Sequence, residues 1–274
     1  MQMRAAIRKG FFGYTLCYTT THPEPLLVKS SDVKIRVNYA AINPVDYKAP
    51  RALLGTVYGL DLSGTVVEIN NNGSEFKVGD KVFGRTSSGS LADFTIANEK
   101  ELCLIPVGWT EDHCSALPTA YLTAFQALRS GGIVVVVKSE EDVDSEKREN
   151  DNKEKSLVII GASGGCGLAA LHLARAMKVD RIIAICSGGN KDLVMENGAT
   201  EVIDYANSEN LASFWKREAG KIDCVYDAAT SSGKGEDYTA SSVTLLKEEG
   251  QYVTLNGPAS LWLRKIIGME KKNQ

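Results

Sequence analysis

Metal-binding and disulfide motifs are missing from this sequence. None of its six cysteines forms a Cys-x-x-Cys pair, and its three histidines stand far apart along the chain. Scattered cysteines in apolar surroundings usually behave as small buried hydrophobic residues of a reducing compartment. The sequence therefore predicts neither a disulfide framework nor a metal site.

A strongly basic balance and a long apolar run are missing as well. The formal net charge is -3 at pH 7, and no basic stripe favours binding to nucleic acid. No apolar run approaches the length that spans a membrane. Residues 1–9 are basic but lack the apolar centre of a signal peptide, which predicts a cytoplasmic protein. A short organelle presequence is the alternative that stays open.

Short strands dominate the first part of the chain. Residues 33–39 alternate apolar and polar side chains, as a half-buried strand does, and residues 62–69 indicate another strand. Residues 78–84 indicate a tight turn into a short strand, and residues 91–97 and 103–106 indicate two more. Short strands separated by glycine turns predict a small β-barrel.

A helical pattern follows these strands. Apolar residues at helical spacing predict a helix that begins near His113 and ends at the glycine pair 131–132. Pro118 is expected in its first turn or just before it. A chain of 274 residues suits two domains, which we assign to residues 1–125 and 126–274.

A glycine turn between a strand and a helix is the motif around which the second domain is organised. Residues 157–160 are typical of a strand buried on both faces, and an apolar-periodic run follows from Leu168. Glycines in such a turn let the backbone approach a pyrophosphate at a helix N-terminus. The residues expected at the phosphates are Ser163, Gly164, Gly165, Cys166 and Gly167. The alternative is a tight turn without a ligand.

Strands and helices alternate from this turn to residue 255. The predicted strands are 157–160, 181–186, 201–203, 222–226 and 252–255, and the predicted helices are 168–178, 191–197, 209–218 and 238–247. Ser208 is the expected N-cap of the third helix. Gly198, Gly220 and Gly250 are expected to end helices in the left-handed conformation. This alternation predicts an α/β fold with a parallel, doubly wound sheet and a ligand at the carboxyl ends of its strands.

Seven motifs, taken in order, resemble a known superfamily. They are AAINPVDYK (40–48), GLDLSG (59–64), VGDKVFG (78–84), LPTAYLTA (117–124), GASGGCG (161–167), GATEVIDY (198–205) and VYD (225–227). Their order and spacing resemble the medium-chain dehydrogenase/reductase superfamily, and within it the zinc-free, zeta-crystallin-like quinone oxidoreductases, over nearly the whole chain. The resemblance implies a GroES-like β-barrel domain joined to a Rossmann domain. Homodimers are usual among such relatives.

The resemblance also bears on zinc and substrate. Zinc-dependent relatives have a cysteine where this chain has Asn43, and Gly-His-Glu where it has Gly59-Leu60-Asp61. Without these ligands no Lewis acid polarises a carbonyl or an alcohol. The resemblance therefore implies hydride transfer to a small-molecule quinone or to an α,β-unsaturated carbonyl, which accept hydride without a metal.

The end of the second strand of the Rossmann domain favours NADPH over NADH. NAD-preferring sites place an acid there, whereas residues 184–191 contain none. Ser187, Asn190 and Lys191 are able to donate hydrogen bonds to a 2′-phosphate, unless Lys191 is only a solvated residue that begins a helix. By the resemblance, Tyr205 lies near the adenosine phosphate. The alternative is a half-buried tyrosine at a strand end.

The residues at the reacting centre come from the resemblance alone. It assigns four residues to the nicotinamide: Asn43 and Thr123 on the barrel side, and Asn256 and Gly257 near the carboxamide. Asp46 and Tyr47 either hydrogen-bond the substrate or serve as a capping aspartate and a packing tyrosine. No side chain is identified as a general acid, and a hydroquinone oxyanion is able to take its proton from water.

Two departures from the family pattern keep a second hypothesis open. The family segment that returns from the last strand to the barrel is absent from this sequence. Residues 139–155 look like an insertion, and their charged composition predicts a solvated, disordered loop. The first hypothesis is an NADPH-dependent quinone or enone reductase. The second is a non-catalytic NADPH-binding or interaction protein.

Overall fold

The computed structural model describes residues 1–10, 15–48, 55–70, 73–134, 145–230 and 237–255. The chain divides into two compact units, Met1–Ala120 and Tyr121–Gln274. The sequence prediction places this division after residue 125.

An antiparallel ribbon of two strands begins the first unit. β1 (Gln2–Lys9) pairs with β2 (Thr15–Pro23), and the sequence analysis assigned neither strand. The buried positions of β1 include Met3, Ala5 and Arg8. Because a charged residue occupies one of these buried positions, the apolar alternation that identifies a strand is broken.

Five antiparallel strands form the main sheet of the first unit. They are β3 (Asp32–Ala41), β4 (Asp61–Ile69), β5 (Lys81–Arg85), β6 (Phe94–Asn98) and β7 (Leu102–Leu104), in the spatial order β6-β3-β4-β5-β7. Ile35, Leu62, Val66 and Val82 pack into one buried cluster against this sheet. The strands that the sequence predicts in this region are confirmed.

Two short helices, α1 (Pro44–Lys48) and α2 (Glu111–Ser115), belong to the first unit, and α3 (Pro118–Ser130) begins in it and continues into the second unit. The sequence predicts one helix from His113 onward, but the structure has two. Pro118 has no N–H with which to continue α2, and its fixed φ suits the first position of α3.

A parallel sheet of five strands forms the centre of the second unit. Its strands are β8 (Ser156–Ile160), β9 (Arg181–Cys186), β10 (Glu201–Asp204), β11 (Ile222–Asp227) and β12 (Leu246–Thr254), in the order β10-β9-β8-β11-β12. The helices are α4 (Ser145–Lys153), α5 (Gly165–Ala176), α6 (Lys191–Glu196), α7 (Ser208–Arg217) and α8 (Thr239–Leu245). The doubly wound α/β fold is confirmed. The strand order reverses between β8 and β11, which is where such sheets bind ligands.

The charged segment contains the helix α4, which corrects the predicted loop. Asn152 in this helix is fully buried. Its Nδ2 donates to the carbonyl oxygens of Val134 at 2.7 Å and Met177 at 2.8 Å, and its Oδ1 accepts from Val134 N at 2.9 Å. Residues 139–144 lie outside the described residues. Because one buried amide rather than an apolar face anchors α4, hydrophobic periodicity gives no sign of it.

Two predicted helix ends also need correction. Asn207, not Ser208, is the N-cap of α7, and its side chain accepts a hydrogen bond from Asn210 N at 3.0 Å. Gly250 lies inside β12, because α8 already ends at Leu245. Gly198 and Gly220 do adopt left-handed conformations, with φ of +117° and +70°.

Asp223 is expected to stabilise the amino edge of the parallel sheet in a pH-dependent way. Its carboxylate accepts hydrogen bonds from Ser156 N at 2.9 Å and from Lys247 Nζ at 2.8 Å. Burial opposes the charge, but these donors together hold the pKa of Asp223 below its usual value. A lowered carboxyl pKa stabilises the fold above the usual pKa, and this contribution is lost as pH falls through the lowered value.

We therefore expect Asp223→Asn to reduce the free energy of unfolding by about 1 kcal/mol at neutral pH. The difference from the unsubstituted chain should shrink as the pH falls from the usual carboxyl pKa through the lowered pKa of Asp223, where the folded chain loses this charge. Urea unfolding of both chains over a pH series measures this difference. A difference that stays constant with pH would contradict the assigned role of the charge.

Candidate active site

The glycine turn joins β8 to α5 at the carboxyl edge of the parallel sheet. Gly161 has a φ of +75°, a left-handed conformation in which other L-residues are strained. A Cβ on Gly167 would collide with the Gly161 carbonyl and come within 2.6 Å of Ala162 Cα. Glycine is therefore required at one position for the turn and at the other for close packing of helix on strand.

The outer side of the glycine turn has room for a ligand. Gly164 caps α5 and Gly165 begins it. A Cβ on Gly165 would meet no atom of the described residues within 4 Å. The first N–H groups of an α-helix have no partner inside the helix, so they are available to an anion. Donors beside open space fit the pyrophosphate of a dinucleotide, and Ser163 and Cys166 lie half-buried next to them.

Asn190 connects the glycine turn to the loop after β9. Its Nδ2 donates to Ser163 Oγ at 3.1 Å and to Ser187 Oγ at 3.0 Å. The structure therefore brings Ser163 together with Ser187 and Asn190, two other predicted cofactor-binding residues from a segment more than 20 residues away in the sequence. Their two hydroxyl groups lie at the edge of the sheet where the strand order predicts a ligand.

Two further predicted residues flank this loop. Lys191 is exposed at the first position of α6. Tyr205 is 37% exposed, and its backbone N–H donates to the Cys186 carbonyl at 3.2 Å, which places it beside the end of β9. Both side chains are therefore accessible from the loop that follows β9.

An acid that the sequence analysis missed also lies against this loop. Asp204, the last residue of β10, stands so close to Gly188 that a Cβ there would collide with its carboxylate. Its Oδ1 accepts a hydrogen bond from Ala206 N at 2.9 Å. The segment after β9 contains no acid of its own, and only the pairing of β9 with β10 brings this one near.

Asp227 holds the loop after β11 beside the glycine turn. It is fully buried, and its carboxylate accepts from Ala229 N at 2.9 Å and from the Tyr252 hydroxyl at 2.8 Å. Ala228 N donates to the Ile160 carbonyl at 3.0 Å. These bonds fix the position of the loop after β11 beside the carboxyl end of β8.

Asp46 in the first unit is an internal cap of α1. Its Oδ2 accepts a hydrogen bond from Asn43 N at 2.7 Å, and the residue is 1% exposed. Burial raises the pKa of Asp46, while the bond from Asn43 lowers it. Asp46 therefore serves as a capping aspartate, and its contact with the substrate stays a prediction. Tyr47 is 56% exposed.

Asn43 is held by a carboxylate that the sequence analysis did not select. Asp61 in β4 is fully buried, and its Oδ2 accepts from Asn43 Nδ2 at 3.0 Å and from Thr119 N at 2.9 Å. Its Oδ1 accepts from Thr119 Oγ1 at 2.6 Å. Burial raises the pKa of Asp61, and these three bonds lower it. Asp61 belongs to a motif of the resemblance, but only the fold shows that it contacts Asn43.

The remaining predicted residues are not joined to these by any described contact. Thr123 is half-buried in α3, in the second unit. Asn256 and Gly257 lie outside the described residues. A shared contact of these residues with the nicotinamide therefore stays a prediction.

Within the described ranges, no group of three or more His, Cys, Asp and Glu side chains is arranged to hold a metal ion. The helices in these ranges are each too short or too polar to cross a membrane.

Comparisons with known proteins agree with this fold. Residues 29–109 match the model of the alcohol dehydrogenase GroES-like domain, and residues 165–267 match that of the zinc-binding dehydrogenase. A solved Thermus thermophilus quinone oxidoreductase, whose structure includes a complex with NADPH, superposes with a TM-score of 0.67 at 24% identity. That superposition covers 96% of this chain and 78% of the other.

Two plant proteins are similar in sequence. The chloroplast envelope quinone oxidoreductase homolog of Arabidopsis thaliana is 30% identical over 258 residues, which cover 89% of this chain and 73% of that protein. The NADPH-dependent alkenal/one oxidoreductase of the same plant is 30% identical over 84% of this chain, but the match spans only 56% of that protein. The chain belongs to the medium-chain dehydrogenase/reductase superfamily, within its quinone oxidoreductase-like family.

Proposed function

We propose that this protein is an NADPH-dependent oxidoreductase that transfers hydride to a quinone or an α,β-unsaturated carbonyl without zinc. The observation that carries the proposal is the open turn at Gly165, with the hydroxyls of Ser163 and Ser187 held beside it by Asn190. The names of the relatives support the same chemistry. Zinc independence rests on Asn43 and Leu60, which replace two ligands of zinc-dependent relatives.

The second unit would bind the cofactor. Ser163, Gly164, Gly165, Cys166 and Gly167 would hold the pyrophosphate through backbone N–H groups and the Ser163 hydroxyl. Ser187, Lys191 and Tyr205 would donate hydrogen bonds to the 2′-phosphate, and Asn190 would hold the Ser187 hydroxyl in place beside it. The negative charge of Asp204, which lies beside Gly188, would repel the 2′-phosphate. The preference for NADPH therefore depends on the hydrogen bonds from these donors. NADPH, when bound, supplies the hydride from C4 of its nicotinamide.

The first unit would orient the acceptor and the nicotinamide. Asn43, fixed between Asp46 and Asp61, presents a rigid amide. Tyr47, which is exposed, is the candidate to hydrogen-bond a substrate oxygen. A reduced quinone oxygen would take its proton from water, because its own basicity is sufficient.

Cofactor oxidation by purified protein tests the proposal. NADPH binding is followed by nicotinamide fluorescence, and turnover by loss of nicotinamide absorbance after addition of phenanthrenequinone or a simple enone. Binding with turnover supports the reductase. Binding without turnover favours the non-catalytic NADPH-binding protein, and a folded chain that does not bind NADPH would refute the cofactor site.

Lys191→Glu is expected to weaken NADPH binding by about tenfold or more while NADH binding changes little, because it removes a charged donor from the 2′-phosphate. Lys216→Glu, an equal charge change at the exposed end of α7, is the matched control. Fluorescence titration of both cofactors measures the preference. If Lys191→Glu leaves the ratio of the NADPH and NADH affinities unchanged, Lys191 does not contact the 2′-phosphate and is only a solvated residue at the start of α6.

Two broader properties remain proposals. The homodimer follows only from the resemblance, and light scattering of the purified chain tests it. A cytoplasmic location follows from the sequence composition, and imaging of the tagged full chain in cells tests it.

A further inference from the structure

Asp61 is a fully buried carboxylate to which the proposed function gives no part beyond fixing the side chain of Asn43. It accepts three hydrogen bonds, two from Thr119 and one from the side chain of Asn43. The charges of Arg85 and Asp46 act on the Asp61 carboxylate. All three neighbouring groups donate to Asp61, so the side chain at this position has to offer acceptor oxygens.

The side-chain amide of Asn43 carries an acceptor, Oδ1, and a donor, Nδ2. A rotation of 180° about its Cβ–Cγ bond exchanges their positions. Its backbone is already fixed, because Asn43 N donates to Asp46 Oδ2 and Asp46 N donates to the Asn43 carbonyl at 2.9 Å. With Oδ1 turned toward Asp61, two acceptor oxygens would face each other without a proton between them. The bond from Nδ2 to Asp61 therefore selects one orientation. Among the described residues, none donates a hydrogen bond to Asn43 Oδ1.

We propose that Asp61 is a positioning residue that holds Nδ2 of Asn43 inward, so that Asn43 presents its carbonyl Oδ1 to the reacting ligands. This inference rests on the proposed function, in which Asn43 faces the nicotinamide. It also defines the chemistry of the group that meets Oδ1. That group is a hydrogen-bond donor, either an amide N–H or a hydroxyl of the cofactor or acceptor.

A double-mutant cycle tests whether Asp61 acts through Asn43. Asp61→Leu is close in shape but removes both acceptor oxygens, and we expect kcat with a quinone to fall by about tenfold or more. NADPH affinity should change much less than kcat, because the proposed phosphate contacts lie in the second unit. In an Asn43→Ala background, Asp61→Leu should cause no further loss of kcat. An equal loss in both backgrounds would show that Asp61 supports the fold rather than Asn43.

Two other variants serve as matched controls. Asp61→Asn keeps one oxygen that accepts from both Asn43 Nδ2 and Thr119 N, so it should retain most of kcat. Thr119→Val removes only the hydroxyl bond to Oδ1 and leaves the bond to Asn43 in place. A loss of kcat in Thr119→Val as large as in Asp61→Leu would overturn the proposal.

Hydrogen exchange of the Asn43 side-chain amide tests the orientation without any variant and without turnover. One Nδ2 hydrogen, bonded to buried Asp61, should exchange slowly in the NMR spectrum of the full chain, and its partner should exchange fast. Two fast hydrogens would overturn the positioning role even if Asp61→Leu did not fold. Failure of the unsubstituted chain to oxidise NADPH would overturn the proposed function and leave this measurement unaffected.

Discussion

Gly167→Ala is expected to destabilise the second unit by about 3 kcal/mol, at the upper end of the cost of overpacking. Its new Cβ would collide with the backbone of Gly161 and Ala162, which belong to the turn itself and have no room to retreat. Helix α5 would have to move away from β8, and the turn would lose its shape. Urea unfolding measures the loss of stability, and NADPH fluorescence measures the loss of binding that should accompany it.

Gly165→Ala is the matched variant that separates folding from binding. Its Cβ meets no atom of the described residues within 4 Å, and alanine favours a helix by about 1 kcal/mol over glycine. Stability should therefore be kept or slightly raised. NADPH affinity should still fall by about tenfold, because the methyl group occupies the approach to the helix N-terminus. Unchanged NADPH binding by Gly165→Ala would place the phosphates elsewhere.

Arg8→Met is expected to lower the stability of the first unit by about 3 kcal/mol, since it leaves buried carbonyl oxygens without donors. The Arg8 side chain is 1% exposed and stacks 4.0 Å from the centroid of the Tyr58 ring. Its guanidinium donates to the carbonyls of Val57 at 2.6 Å and Asp46 at 2.7 Å. Because Asp46 lies in α1, the loss should also disturb Asn43 and reduce turnover.

Arg4→Met on the same strand provides the control. Nε and Nη2 of Arg4 both donate to Asp93 Oδ1 in a salt bridge. The Arg4 side chain is 68% exposed, so water and salt screen this ion pair. Its replacement should change stability little. Urea unfolding of both variants gives the comparison, and equal effects at Arg4 and Arg8 would contradict the special role of the buried guanidinium.

The glycine turn between β8 and α5 could be predicted because its evidence is local. A strand buried on both faces, a glycine series and an amphipathic helix follow one another between residues 156 and 176. The φ of Gly161 and the tight packing at Gly167 are direct consequences of that order. The parallel sheet could be predicted for the same reason, since alternating strands and helices permit few topologies.

The charged segment shows where local evidence misleads. Its composition predicts disorder, yet residues Ser145–Lys153 form α4. The side-chain amide of Asn152 forms three hydrogen bonds with the backbone of Val134 and Met177, which are distant in the chain. These bonds anchor α4 to the second unit, as an apolar face anchors other helices. Hydrophobic periodicity carries no information about such an anchor.

The sequence by itself determined the α/β class, the strand, glycine turn and helix at residues 156–176, and the residue types at positions 43 and 59–61. Only the tertiary structure decided which buried polar groups meet. It made Asp46 a cap, joined Asp61 to Asn43, and brought Asp204 beside Gly188. The physical reason is that backbone conformation and burial patterns depend on neighbours in the chain, whereas a buried hydrogen bond depends on which strands lie side by side.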